Sequence, residues 1–226
     1  MTFAIAGRCE MTGNLGVAIT TSSICVGSRC PWVQSGVGAV STQNVTLPSI
    51  GLEVLGRIES GCSAAEALGE VMERAPYPEY RQVIGIDNLG RTASFEGDSI
   101  LGTNAVAADQ QCIAAGNLLK SSKLPSAMTA FFAQKRDLSL AERLLQTLEH
   151  GLYEMKGEEG TVHSAALLVA DMHPWPTVDL RVDWDDRDPV AALRELWVHY
   201  EPQAEDYILR AMHPYKAPSY GVPGDE

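Results

Sequence analysis

Apolar positions along this chain fall into two kinds of pattern, and they alternate in blocks. Thr2–Arg8 and Leu15–Thr21 are apolar, β-branched runs separated by the polar, glycine-containing stretch Cys9–Asn14, which predicts a β-hairpin. A third strand is predicted over Gly36–Thr42, where small residues suit the close approach of another layer. Helical spacing then predicts Ser49–Glu59, closed by Ser60-Gly61, and Ala64–Arg74, opened by the capping box Ser63-Ala64-Ala65-Glu66. Thr46–Ser49 is expected to cap the first of these helices, and Pro76 and Pro78 end the second. Strands return over Gln82–Asp87 and Arg91–Phe95 around the turn Asn88-Leu89-Gly90, and a short strand Cys112–Gly116 runs into Asn117. Helices are predicted over Pro125–Gln134 and Leu138–Tyr153. The glycine-bounded loop Gly157–Gly160 follows, then strands Ser164–Ala170 and Val178–Trp184 and a last helix from Asp188-Pro189 through His199.

Strands and helices grouped in this way predict an α+β fold, since a doubly wound parallel sheet would alternate them singly. Residues 1–200 read as one domain, and 201–226 as a C-terminal helix and arm containing several prolines and glycines. At 226 residues the chain is long enough to bury a substantial core. A net charge of −12 without any Lys/Arg cluster argues against nucleic acid and anionic membrane surfaces as partners. No apolar run reaches the ~20 residues of a membrane span, and the N-terminus lacks the pattern of a secretory signal, so a cytoplasmic location is expected. The odd, scattered set of Cys9, Cys25, Cys30, Cys62 and Cys112 fits reduced structural thiols in a reducing compartment.

Candidate chemistry begins at Thr2. If Met1 is removed, this residue carries both a hydroxyl nucleophile and a free α-amine, whose ordinary pKa of about 7.7–8 suits it to take the hydroxyl proton. With Met1 attached, that nitrogen is an amide and cannot act as a base. Ser41, Thr42, Gln43 and Asn44 form a polar cluster at the end of the glycine-rich strand, readable as turn chemistry or as a substrate-binding rim. Arg81, ahead of an apolar strand, is placed either to bind a carboxylate or to make a structural ion pair. His163 and Ser164 are adjacent in a strand, point to opposite faces, and cannot meet as base and nucleophile. His150, His173, His199 and His213 show no metal-ligand spacing, and the acidic run Asp183–Asp188 reads as a solvated loop and helix start. No metal site and no cofactor motif is expected.

The leading Thr2-Phe3-Ala4-Ile5 strand, Gly16-Val17-Ala18-Ile19, the block Pro31-Trp32 to Thr42-Gln43, Tyr80-Arg81-Gln82-Val83, Gly116-Asn117-Leu118-Leu119, Ala141–Leu145 and Ser164–Leu168 occur in an order that resembles the proteasome-like N-terminal nucleophile hydrolase superfamily. More narrowly, the chain is similar to a bacterial branch of it known as a domain of unknown function, over roughly residues 2–195. That resemblance implies a four-layer αββα sandwich with Thr2 as nucleophile and the Gly116-Asn117 amides, with the Asn117 side chain, as oxyanion hole. The chain departs from the branch at His163, where glutamine is usual, at Ala115, where Gln-Gly-Asn is usual, and at Met155–Gly160, which replaces a Gly-Gly-Asp-like loop. It also lacks any lysine between Arg8 and Arg57, where a proteasome-type site uses one.

Two functions are expected side by side. One is a hydrolase of a small-molecule amide or related C–N bond, with Thr2, Gly116 and Asn117 at the chemistry and Ser41, Thr42, Gln43 and Arg81 around the substrate. The other is a non-catalytic protein of the same fold, a homo-oligomer that binds a ligand or serves as a scaffold. Tyr207, Tyr215 and Tyr220 would then supply aromatic anchors.

Overall fold

The computed structural model describes residues 1–224. Its elements in order are β1 (Thr2–Arg8), β2 (Leu15–Thr21), β3 (Pro31–Gln34), β4 (Gly38–Asn44), α1 (Ser49–Glu59), α2 (Ala64–Arg74), β5 (Arg81–Asp87), β6 (Thr92–Glu96), β7 (Ala105–Asp109), β8 (Cys112–Asn117), α3 (Leu124–Gln134), α4 (Leu140–Glu149), β9 (Ser164–Ala170), β10 (Pro176–Val182), α5 (Pro189–Tyr200) and α6 (Ala204–Met212). The strands make two antiparallel sheets, one ordered β10-β9-β2-β1-β8-β7 and one ordered β3-β4-β5-β6. This is a mixed α/β protein.

The period-2 alternation of β1 sorts its side chains into two cores. Phe3 and Ile5 belong to a cluster with Leu124, Met128 and Phe132 of α3, Leu144 and Leu148 of α4, and Leu193 and Trp197 of α5. Ala4 and Ala6 belong to another, which joins Val17 and Ile19 of the larger sheet to Ala39, Ile84 and Ile86 of the smaller one. Small alanines on facing strands let the two sheets approach closely. A third cluster packs Val40 and Val83 of the smaller sheet against Ile50, Val54 and Ile58 of α1 and Leu68, Val71 and Met72 of α2.

Local chemistry sets the ends of the elements. Ser63 and Glu66 form the expected reciprocal capping box at α2, and the Asp188 side chain accepts from the Val190 and Ala191 amides at α5. Asp87, fully buried at the end of β5, accepts from the Ala64 amide and from the Leu89 and Arg91 amides of the following turn, so one carboxylate ties α2 to the β5–β6 hairpin. The expected cap Thr46–Ser49 does not form: α1 starts from Pro48 without any side-chain cap hydrogen bond, and Thr46 Oγ1 instead donates to the Thr42 carbonyl at 3.5 Å. The glycine-rich strand begins at Gly38 rather than Gly36, because Gly36, with φ of 68°, makes the turn out of β3. Strands β3 and β7 are additions to the expected set.

Beyond α5 the chain forms α6 and a 3-10 turn at Pro214–Lys216, and none of the α6 residues is buried. The end of the expected arm, residues 225–226, lies outside the described residues. Among the described residues no helix is long and apolar enough to cross a membrane.

Candidate functional site

Five strands end together at one edge of the core shared by the sheets. On the larger sheet, the face that carries Ala4, Ile19 and Ala115 continues outward to Thr2, Thr21 and Asn117. Register fixes these three side by side, for Thr2 pairs with Thr21 across β1–β2 and with Asn117 across β1–β8. On the smaller sheet, the face that carries Ala39 and Ile84 continues to Ser41, Gln43 and Gln82. All six side chains are buried, Thr2 being 6% exposed.

The Thr2 and Thr21 hydroxyls converge on one acceptor. Thr2 Oγ1 donates to the Met1 carbonyl at 2.6 Å, Thr21 Oγ1 donates to the same oxygen, and the two hydroxyl oxygens are 2.9 Å apart. Each hydroxyl has one proton. With both protons on the Met1 oxygen, the contact between the hydroxyls is a close approach of two oxygens without a proton of its own.

Four side-chain amides and hydroxyls bridge the two sheets. Gln82 Nε2 donates to the Gly116 carbonyl at 3.1 Å and to Glu96 Oε1 at 3.2 Å, while Gln82 Oε1 accepts from Gln43 Nε2 at 2.9 Å and from Asn117 Nδ2 at 3.1 Å. Ser41 Oγ donates to Gln43 Oε1 at 3.3 Å. A peptide carbonyl and a carboxylate only accept, so the Gln82 amide has one workable orientation, and the orientations of Gln43 and Asn117 follow from it. Asn117 is therefore held with Nδ2 engaged and Oδ1 buried without a hydrogen-bond partner.

Glu158 completes the edge. The loop after α4 returns to pair with the residues following Asn117, through a bridge of Leu119 with Glu158 and the Glu159 N–H to Leu118 carbonyl bond at 2.8 Å. This places the Glu158 carboxyl 1% exposed, with neither oxygen hydrogen-bonded. Burial pushes its pKa up to about 8, offset in part by the N-terminal ammonium of Met1 and by the nearby Ser22 N–H, which points toward the carboxyl without closing a hydrogen bond of normal geometry.

Of the residues singled out in the sequence, Thr2, Gly116, Asn117, Ser41 and Gln43 come together here. Gly116 sits inside the sheet between Phe3 and Ala105, and a Cβ there would press on Leu119 and on Phe3. Thr42 and Arg81 lie elsewhere: the alternation of β4 and β5 puts them on the face of Val40 and Val83, toward the α1/α2 core. Arg81 donates to the Val45 and Pro76 carbonyls, which holds the chain entering β5. Thr21, Gln82 and Glu158 also line this edge without standing out in the sequence as site residues: Gln82 lies in the Tyr80-Arg81-Gln82-Val83 stretch and Glu158 in the Met155–Gly160 loop, whereas Thr21 lies in none of the stretches that carry the resemblance. Elsewhere, His163 stacks on Trp184 at 4.3 Å while Ser164 bonds the Ser23 carbonyl and the Val26 amide. The five cysteines are free thiols, and burial pushes Cys112 up to about 12, which makes it a poor nucleophile.

Residues 2–193 match the model of DUF1028, a family of unknown function. The chain belongs to this family. The DUF1028 match spans the side chains of the edge just described, from Thr2 to Glu158, and begins one residue after Met1. A solved DUF1028 structure, protein SPO2555 from Silicibacter pomeroyi, is 30% identical, with 88% of each chain covered and a TM-score of 0.81. Anbu from Hyphomicrobium sp. strain MC1 is 15% identical over 97% of this chain and 100% of that one, with a TM-score of 0.43. Anbu from Yersinia bercovieri is 11% identical over 89% and 95%, with a TM-score of 0.40. Comparison with curated proteins finds no match.

Proposed function

We propose that the protein is an N-terminal nucleophile hydrolase of small amides, built as a four-layer αββα sandwich, with Thr2 as its nucleophile once Met1 is removed. The three hydrophobic clusters support the layering, since each joins one pair of successive layers. The observation that carries the chemistry is the convergence of the Thr2 and Thr21 hydroxyls on one carbonyl oxygen. A carbonyl oxygen is thereby held at this edge by the Thr21 hydroxyl, which supports Thr21 as a donor to a substrate carbonyl oxygen. For attack, Thr2 Oγ1 must turn from that oxygen to the carbonyl carbon, with its proton passing to the freed amine.

In this reading the freed α-amine of Thr2 takes the proton from Oγ1 as Oγ1 attacks the amide carbonyl. The C–N bond breaks, the proton passes to the departing amine, and an ester on Thr2 remains. Water then adds to the ester, with the α-amine again accepting and returning a proton, and the acid leaves with Thr2 restored. Thr21 Oγ1 and the Gly116-Asn117 backbone amides are the proposed oxyanion donors. The Asn117 side chain serves a different end, because its NH2 is committed to Gln82 and its free atom is an acceptor suited to an N–H. Ser41 and Gln43 hold the relay that fixes Asn117 rather than a separate binding rim.

The test compares the chain prepared with Thr2 as first residue against its Thr2→Ala variant and against the Met1-bearing chain, using a reactive β-lactone read by intact mass. One ester adduct on the Thr2-first chain alone is expected, with amide turnover in Thr2→Ala lower by at least about a thousandfold. Equal labelling of Thr2→Ala would overturn the reading. A second reading follows from how fully Met1 is accommodated: retained in the cell, it denies the site its base and leaves a binding or scaffold protein. Quantitative retention of Met1 in protein from its native host, seen by mass, is the outcome expected of that reading. A change in sedimenting mass on deleting residues 213–226 would assign the arm to a homo-oligomer contact.

A further inference from the structure

Met1 meets three separate features of the fold, one with each of its parts. Its carbonyl oxygen is held by the Thr2 and Thr21 hydroxyls. The thioether end lies over Gly160, where a Cβ would collide with Met1 Cε and stand 2.9 Å from Sδ. Its ammonium lies close enough to Glu158 to hold that carboxyl's pKa down somewhat, but makes no ion pair or hydrogen bond with it among the described residues. A buried carboxyl without partners is costly to maintain, and nothing in the packing around it accounts for it. What it lacks is a cation in direct contact. Half-buried Met1 thus shows what this space accepts: an acyl group with a free α-ammonium and an unbranched apolar side chain.

We infer that the space taken by Met1 is the acyl subsite of the enzyme, and that its substrates are amides or short peptides whose acyl portion is an α-amino acid with a free amine. Glu158 anchors the ammonium, the absence of a side chain at Gly160 admits an unbranched apolar side chain, and Thr21 meets the carbonyl oxygen. The Thr2 nitrogen that carries Met1 and the Oγ1 that would carry the substrate are joined only through Cα and Cβ. An acyl group on Oγ1 therefore lies beside the place Met1 occupies. Asn117 Oδ1, held as an acceptor by the Gln82 relay, stands ready for the Thr2 amine, which leaves Glu158 to the substrate amine. This inference rests on the hydrolase reading for its chemistry, but the subsite is testable by binding alone.

The Thr2-first chain is titrated by calorimetry with L-methionine and with N-acetyl-L-methionine, which lacks the cation. Turnover of L-methionine 4-nitroanilide and its N-acetyl form is followed in parallel. Binding of the free amino acid at least tenfold tighter than the acetylated one is expected, with that preference lost in Glu158→Gln and with a higher KM rather than a lower kcat for the free-amine anilide. Gly160→Ala, which places a methyl in the side-chain space and needs no unusual backbone, is expected to weaken methionine binding at least tenfold should Glu158→Gln fail to fold. Equal binding of the two forms, binding of neither, or an unchanged preference in both variants overturns the subsite. Selective binding without turnover leaves the subsite standing and removes the hydrolase reading.

Discussion

Burial of Glu158 with neither oxygen hydrogen-bonded makes the folded chain hold a proton that the unfolded chain has already released. Its pKa of about 8 in the folded state stands above the ordinary 4.5, so this contribution to stability is fully present below about pH 4.5 and is lost as the pH rises through 8. Between pH 5 and 8 the loss is on the order of 3 kcal/mol, and Glu158→Gln, which cannot ionise, is expected to abolish it. Urea unfolding of both proteins across that range measures the difference. Glu142, whose carboxyl Arg194 holds below its usual range, and the exposed Glu66 and half-buried Asp185, lowered by local hydrogen bonds, act at lower pH and do not overlap that window. An equal pH slope in the two proteins would show that Glu158 is not the titrating group. At this scale the sequence was only partly readable. Thr2, Ser41, Gln43 and Asn117 sit at the polar ends of apolar runs, a visible signal. Thr21 and Gln82 look like ordinary strand residues until the pairing of β1 with β2 and the facing of the two sheets give them neighbours. Glu158 reads as one charge in a charged loop because its burial comes from a tertiary contact with Leu119.

Elements with their own punctuation were legible. α1 and α2 match the expected spans from Ser49 to Glu59 and from Ala64 to Arg74, and the Ser63/Glu66 box and the Asp188 cap mark their helices unambiguously. β3 and β7 were not legible for opposite reasons. β3 is only Pro31–Gln34, too short to show a period, and β7 is Ala-Val-Ala-Ala-Asp, whose alanines carry little strand preference and whose order comes from pairing with β8. α1 docks on β3 through Gly51, where an added Cβ would overlap the indole ring of Trp32. Two effects oppose each other in Gly51→Ala. The helix gains about 1 kcal/mol in propensity, whereas overpacking against a ring held between two elements costs about 1–3 kcal/mol. A net loss of stability is expected, measured as a lower urea midpoint with an unchanged slope; a gain would mean that Trp32 moves aside freely.

The whole molecule divides into a tightly joined body and a lightly attached end. α5 belongs to the body: Arg194 bridges Glu142 and Glu149 of α4 at 2.6 and 2.8 Å, and Trp197 Nε1 donates to Glu142 at 2.7 Å. α6 carries no buried residue and reaches back through Tyr207, stacked on Tyr200 at 5.7 Å. A chain ending at Tyr200 is therefore expected to melt within ~3 °C of the full chain, whereas Arg194→Ala, which strands two half-buried carboxylates, is expected to lower the melting temperature by more than that. Calorimetry on both variants decides between them. The grouping of strands and helices could be expected from the sequence because it follows from the order of elements. Which sheet each strand joins could not, since it is fixed only when β8 crosses back to lie beside β1.

The relay through Gln82 has a further consequence. Alanines on the inner faces of the sheets are nearly featureless, and apolar contact between them has no preferred direction. The amides do have one: every proton from Ser41 through Gln43, Gln82 and Asn117 points a prescribed way because Glu96 and the Gly116 carbonyl can only receive. A strand of the smaller sheet displaced by one residue would turn Gln43 or Gln82 to the opposite face and leave the Asn117 amide and the Gly116 carbonyl without their partners. The chain thus carries, at its most chemically loaded edge, a key that fits only one alignment of its two sheets, and the fold and the site are registered by the same few atoms.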